Sequence, residues 1–117
     1  IPVSHDPAPR HAVQVAVGLA LLLGVRPVTF SLLNVGPAER RPRVAVPAGA
    51  QEAGAGFREL QRDGEVVEAI LDECEEQGAD LIVMATDGRE GFLDALRGTT
   101  TEQVLRAAKC PLLAVPG

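Results

Sequence analysis

The feature that most restricts the possible folds is the uninterrupted apolar run Leu81-Ile-Val-Met84, followed at once by Ala85-Thr86-Asp87-Gly88. Successive strand residues point to opposite faces. Four apolar residues in a row therefore need cover on both, as a parallel sheet between helices provides. The small, turn-forming residues after the run predict a tight turn at the strand exit, where Gly88 can take a positive φ. A looser stretch, Arg89 to Arg97, then leads to Gly98-Thr99-Thr100-Thr101-Glu102. Thr99 and Glu102 stand at capping-box spacing, which predicts a helix over roughly Thr100 to Ala108. The unbonded N–H groups at its start face back toward the strand exit, an arrangement that binds phosphate or another anion. Spacing alone equally allows a plainer role, in which Gly88 and Gly98 turn the loop and Thr99 caps a structural helix.

The rest of the chain alternates strand and helix. Ile1-Pro-Val3 is the tail of a first strand, and the breaker-rich turn Ser4-His-Asp-Pro-Ala-Pro9 follows it. A helix is predicted from about Arg10 to Leu23, stopping near Gly24. Val13, Val17, Ala20 and Leu21 form one of its faces, and Val15, Leu19 and Leu22 nearly cover the rest. So apolar a helix is either tightly covered or part of an interface. Val28 to Val35 is a second buried strand. The Pro/Gly/Ala-rich stretch from 36 to 56 is a long connection with at most a short helical turn and a brief edge pairing at Val44-Ala-Val46. Phe57 to Gln61 is a third strand, polar enough for an edge.

In the next helix Val67, Ile70, Leu71 and Cys74 recur at i, i+3, i+4 and i+7. Glu65, Glu68, Asp72, Glu73, Glu75 and Glu76 lie largely on the solvent side. Asp63 is its expected N-cap and Gly78 its stop. The last helix is expected to bury Thr101, Val104, Leu105 and Ala108, and Leu112 to Val115 closes the sheet after Pro111. Residues 1–117 thus form one domain of the doubly wound α/β class.

The segment from Gly78 to Thr99, continued by Val104-Leu105 and by Cys110-Pro-Leu-Leu-Ala-Val-Pro116, resembles the universal stress protein family. ATP-binding members carry a Gly, two residues, a second Gly, nine residues, then Gly-Ser/Thr. Here the second Gly corresponds to Gly88 and the last pair to Gly98-Thr99, while Ala85 stands at the first Gly. The resemblance implies a three-layer α/β/α fold of the adenine nucleotide alpha hydrolase-like kind, with a five-stranded, mainly parallel sheet of order 3-2-1-4-5. It also implies an adenine nucleotide site at the C-terminal ends of strands 1 and 4, made by Pro2, Val3, Ser4, Ala85, Gly88, Arg89, Gly98, Thr99 and Thr100. Ser4 occupies the position of an Asp near the adenosine in nucleotide-binding members, so it offers a neutral hydrogen-bonding partner instead of a charge. The implied ligand is ATP or another adenine nucleotide, with Mg2+ or Mn2+ only alongside it. The alternative is a dimeric interaction or regulatory module of the same fold that binds no nucleotide. Pairing through Leu112-Leu-Ala-Val115 is expected to give a homodimer.

Composition narrows the remaining classes. A formal charge of −5 and the lack of a Lys/Arg stripe with interleaved aromatics argue against nucleic acid. The uncharged stretch from Ala12 to Val25 is shorter than the ~20 residues that span a bilayer, which argues against a membrane protein. Cys74 and Cys110 make no disulfide framework and suit a reducing compartment; with no signal peptide visible, the expected location is cytoplasmic. No Walker loop or G-x-G-x-x-G fingerprint is present. Ser4, His5 and Asp6 contain triad residue types, but neighbours on a turn do not meet in relay geometry. His5, Asp6 and His11 follow no metal-ligand pattern. No catalytic residue and no metal site is assigned, and enzymatic activity is limited to slow ATP hydrolysis at most.

Overall fold

The computed structural model describes residues 1–4, 9–24, 28–45, 47, 50, 55–86 and 99–116. In chain order these form α1 (Arg10–Leu23), β1 (Val28–Val35), a 3-10 turn (Ala38–Arg40), β2 (Ala55–Arg62), α2 (Val66–Gln77), β3 (Ile82–Thr86), α3 (Thr100–Ala107) and β4 (Leu112–Pro116). β1 and β2 pair in parallel with Val28 opposite Ala55 and Val35 opposite Arg62. β3 and β4 pair in parallel with Ile82 opposite Leu112 and Thr86 opposite Pro116. Instead of the expected five strands, the described residues hold four, in two two-stranded sheets. The expected first strand is reduced to a single parallel bridge between Pro2 and Leu33. Val3 N–H donates to the Leu33 carbonyl at 2.8 Å, and Leu33 N–H donates to the Ile1 carbonyl at 2.9 Å. Both bonds are made by Ile1 and Val3, and Pro2 takes part only as the residue between them.

Alternation along the strands sorts the core into two layers. One joins Ala12, Ala16 and Val17 of α1 to Phe30, Val83 and Val115, with Ala85 and Leu113 packed against them. The other joins Ile70 of α2 and Val104 of α3 to Leu33, Ile82 and Met84. Val3, Val13 and Leu32 continue the α1 side. Neighbouring residues such as Leu32 and Leu33, or Ile82 and Val83, serve opposite layers, so the continuous apolar runs follow from helices covering both faces. The result is an α/β fold with α1 on one side and α2 and α3 on the other.

Several local expectations shift. The buried stripe of α1 is Ala12, Val13, Ala16 and Val17, while Leu21, Leu22 and Leu23 are exposed, Leu22 by 83%. The second helix is capped by Glu65, not Asp63. Gly64 turns the chain at φ 104°, and the Glu65 carboxylate then accepts from Val67 N–H (3.0 Å) and Glu68 N–H (2.8 Å). Glu73 is buried, not solvent-facing, because Arg62 at the end of β2 reaches it and Glu76. Leu105 is exposed. Val44 and Ala45 join no strand, and Val46 lies outside the described residues. The strand expected over Leu81–Met84 begins at Ile82 and continues through Ala85 and Thr86, which belong to the strand and not to a turn.

Candidate functional site

The exits of the paired strands β3 and β4 meet the start of α1 at the candidate site. β3 ends at Thr86, opposite Pro116 of β4. The Pro116 carbonyl accepts from Nδ1 of His11 at 2.8 Å. A carbonyl can only accept, so this contact assigns the ring proton to Nδ1. His11 lies in the first turn of α1, the helix that follows Ser4. The same contact therefore ties the exits of β3 and β4 to the start of α1. The N-cap of α1 is Pro9, whose side chain has no acceptor for the first-turn amides.

At the start of α3 the expected cap is present. Thr99 is extended (φ −80°, ψ 163°), and its hydroxyl accepts from Glu102 N–H at 3.2 Å. Gln103 N–H reaches the Thr99 carbonyl at 3.1 Å, the first bond of the helical ladder. The amides of Thr100 and Thr101 precede that ladder and have no acceptor within it. Glu102 also pairs with Arg106 one turn on, at 3.3 Å.

Of the residues singled out in the sequence, Pro2 makes the bridge to Leu33 and Val3 is buried in the α1 layer. Ser4 is exposed at the end of that segment. Ala85 directs its methyl group into the α1 layer beside Val83 and Val115. Thr99 and Thr100 open α3. Gly88, Arg89 and Gly98 lie outside the described residues. Sequence reasoning missed Thr86. This side chain is only 6% exposed, and among the described residues its hydroxyl has no hydrogen-bond partner. The available signal was one hydroxyl residue ending an otherwise apolar strand. A buried polar group without a partner is uncommon in a folded protein and invites a ligand or water.

A second polar cluster sits at the exits of β1 and β2. Asn34, buried, donates from Nδ2 to Oε1 of Gln61 at 3.0 Å, and Arg41 donates to the same oxygen and to Glu59. Gln61 donates in turn to the Gly36 carbonyl. These groups satisfy one another, so the cluster fastens the connection after β1 to the neighbouring strand.

Comparison with known proteins gives a consistent picture. The family described as "Universal stress protein family" matches residues 1–116. A universal stress protein of Methanocaldococcus jannaschii is 36% identical over 66 residues, which cover 56% of this chain and 39% of that protein. One from Bacillus subtilis is 30% identical over 66 residues, covering 56% of this chain and 45% of its own length. Each match thus spans less than half of the relative. Among solved structures, a universal stress protein in complex with cAMP superposes with a TM-score of 0.63 at 22% identity, covering 97% of this chain and 93% of the other. A universal stress protein from Archaeoglobus fulgidus gives 0.60 at 19% identity, covering 90% and 86%.

Proposed function

This chain belongs to the universal stress protein family, and from that premise we propose that it binds ATP or another adenine nucleotide where the β3 exit faces the start of α3. The observation that carries this reading is the buried hydroxyl of Thr86, which has no hydrogen-bond partner among the described residues. It lies at the carboxyl end of a parallel strand, the end at which doubly wound folds take up their ligands. The amides of Thr100 and Thr101, which precede the helical ladder, supply donors for phosphate, and a helix start favours negative charge there. A solved protein of the same fold holds cAMP, which supports a nucleotide over other anions. In this reading Pro2, Val3 and Ser4 line the adenosine side, while Ala85, Gly88, Arg89, Gly98, Thr99 and Thr100 line the phosphate side. Mg2+ or Mn2+ enters only with the phosphates. No side chain is assigned to catalysis, and any hydrolysis is slow.

The reading rests on a five-strand order: Ala55–Arg62, Val28–Val35, Ile1–Val3, Ile82–Thr86, Leu112–Pro116, which is 3-2-1-4-5 when the first segment is counted as strand one. Its support is that Leu33 shares a cluster with Ile82 and Met84, and Phe30 shares one with Val83. Such sharing is natural if Ile1–Val3 lies between the two pairs. The thiols of Cys74 and Cys110 suit a reducing, cytoplasmic setting.

A second reading has one observation in its favour. The Ala85 methyl lies in the α1 layer at the position where nucleotide-binding members have Gly. If that methyl narrows the site, the chain is an interaction module that pairs through β4 and binds no nucleotide. Calorimetric titration with ATP, with AMP and cAMP as comparators, separates the two. Nucleotide binding predicts micromolar-range affinity that weakens on Thr99→Ala. Ligand at 100 times Kd adds about 2.7 kcal/mol to stability, a rise in Tm of roughly 10 °C. Neither heat nor a Tm shift at millimolar nucleotide would leave the interaction module as the reading.

A further inference from the structure

The last turn of α2 and the bend just before β4 bring two sulfurs together. Cys74 Sγ and Cys110 Sγ lie 3.2 Å apart although 36 positions separate them in the chain. Both residues are half-buried. They pack on the apolar cluster of Leu33, Ile70, Ile82, Met84 and Val104. Their sequence neighbours Glu75 and Lys109 cross the same gap as an exposed ion pair at 3.7 Å. Two thiols do not complete a zinc site, and no cluster of three or more His, Cys, Asp or Glu gathers among the described residues. What the pair can do is oxidise.

We propose that Cys74 and Cys110 form an oxidisable dithiol that closes to an intramolecular disulfide when the folded protein meets hydrogen peroxide. An S–S bond is about 2.0 Å long, so closure needs roughly 1 Å of approach. Each side chain can begin that approach by rotation about its single χ1. Burial and the contact with Cys110 push the Cys74 thiol up to about 11, so at neutral pH Cys74 keeps its proton until the second step. The Cys110 sulfur attacks one peroxide oxygen; an S–O bond forms, the O–O bond breaks, and the departing hydroxide takes the thiol proton as water. The Cys74 sulfur then attacks the Cys110 sulfenic sulfur. An S–S bond forms, the S–O bond breaks, and the hydroxyl group leaves as water with the Cys74 proton. Two thiols are oxidised and one peroxide is reduced to two waters.

The bridge would tie α2 to the start of β4, at the opposite end of that strand from Pro116 and Thr86. It therefore leaves the nucleotide reading untouched, and either can fail without the other. The test is intact mass and thiol counting on the full chain after dilute peroxide, with non-reducing electrophoresis and a thermal melt. The expected product is a chain not cross-linked to another that has lost both thiols and two hydrogen atoms, reverts with dithiothreitol, and melts roughly 5–15 °C higher while oxidised. Cys74→Ser and Cys110→Ser should each abolish the two-hydrogen loss. Survival of both thiols, addition of oxygen without the two-hydrogen loss, or cross-linking between chains in the wild type overturns the proposal.

Discussion

Thr86 and Thr99 carry the same hydroxyl in opposite circumstances. The Thr99 hydroxyl accepts from Glu102 N–H at the start of α3. The Thr86 hydroxyl is buried with no partner among the described residues. Removing the first deletes a cap, so Thr99→Ala should cost about 0.5–2 kcal/mol. Replacing the second by an isosteric methyl removes a desolvation penalty and gives up no bond, so Thr86→Val should stabilise the ligand-free protein by about 1 kcal/mol. Urea denaturation of the two variants reads both signs. A loss of stability on Thr86→Val would mean that the hydroxyl already has a partner, and the nucleotide reading would lose its main support. The same variant should weaken ATP binding if the hydroxyl serves the ligand. The Thr99 cap was legible because it follows from residues three apart. The isolation of Thr86 was not, because it depends on everything packed around the strand end.

At the scale of elements, α1 contains two glycines with opposite expected effects. Gly24 caps the helix in the left-handed region at φ 65°, and its N–H turns back to the Ala20 and Leu21 carbonyls. Gly18 lies inside the helix, exposed, with nothing within 4 Å of where a Cβ would stand. Gly24→Ala should therefore cost about 1–2 kcal/mol, whereas Gly18→Ala should gain about 0.5–1 kcal/mol by stiffening the unfolded chain. Thermal melts of the two variants should move in opposite directions. Helix ends set by such local rules were readable in advance: Gly24 and Gly78 both stop helices where expected. The start of α2 was misplaced because Gly64 adds a turn after Asp63, so that Glu65 becomes the residue whose carboxylate meets the first amides. Periodicity places Glu73 on the solvent side, but its partner, Arg62, comes from β2 and not from the helix itself. Periodicity sees one element at a time, and errors gather where a second element decides.

For the whole molecule, the strands were legible as apolar runs, but their neighbours were not, since no residue spacing encodes which run lies beside which. The same limit applies to association between copies. The Ile82 N–H donates to the Pro111 carbonyl at 3.0 Å. In a parallel ladder of this register, Leu113 and Val115 then turn their backbone groups toward β3, and Leu112 and Ala114 turn theirs outward. Among the described residues no strand pairs with that outer edge. An apolar edge such as Leu112–Val115 is open to a second copy, and this is how the proposed homodimer would form. Ala114→Pro removes an outward N–H and leaves the bonds to β3 in place, a substitution that an edge strand tolerates. Sedimentation should therefore find the wild type as a dimer at micromolar concentration and Ala114→Pro as a monomer with an unchanged far-UV spectrum. The exposed Leu21, Leu22 and Leu23 at the end of α1 provide the control, because among the described residues they form a second run of exposed apolar side chains. If Leu22→Lys dissolves the dimer and Ala114→Pro does not, copies meet through α1 and the edge-pairing proposal fails.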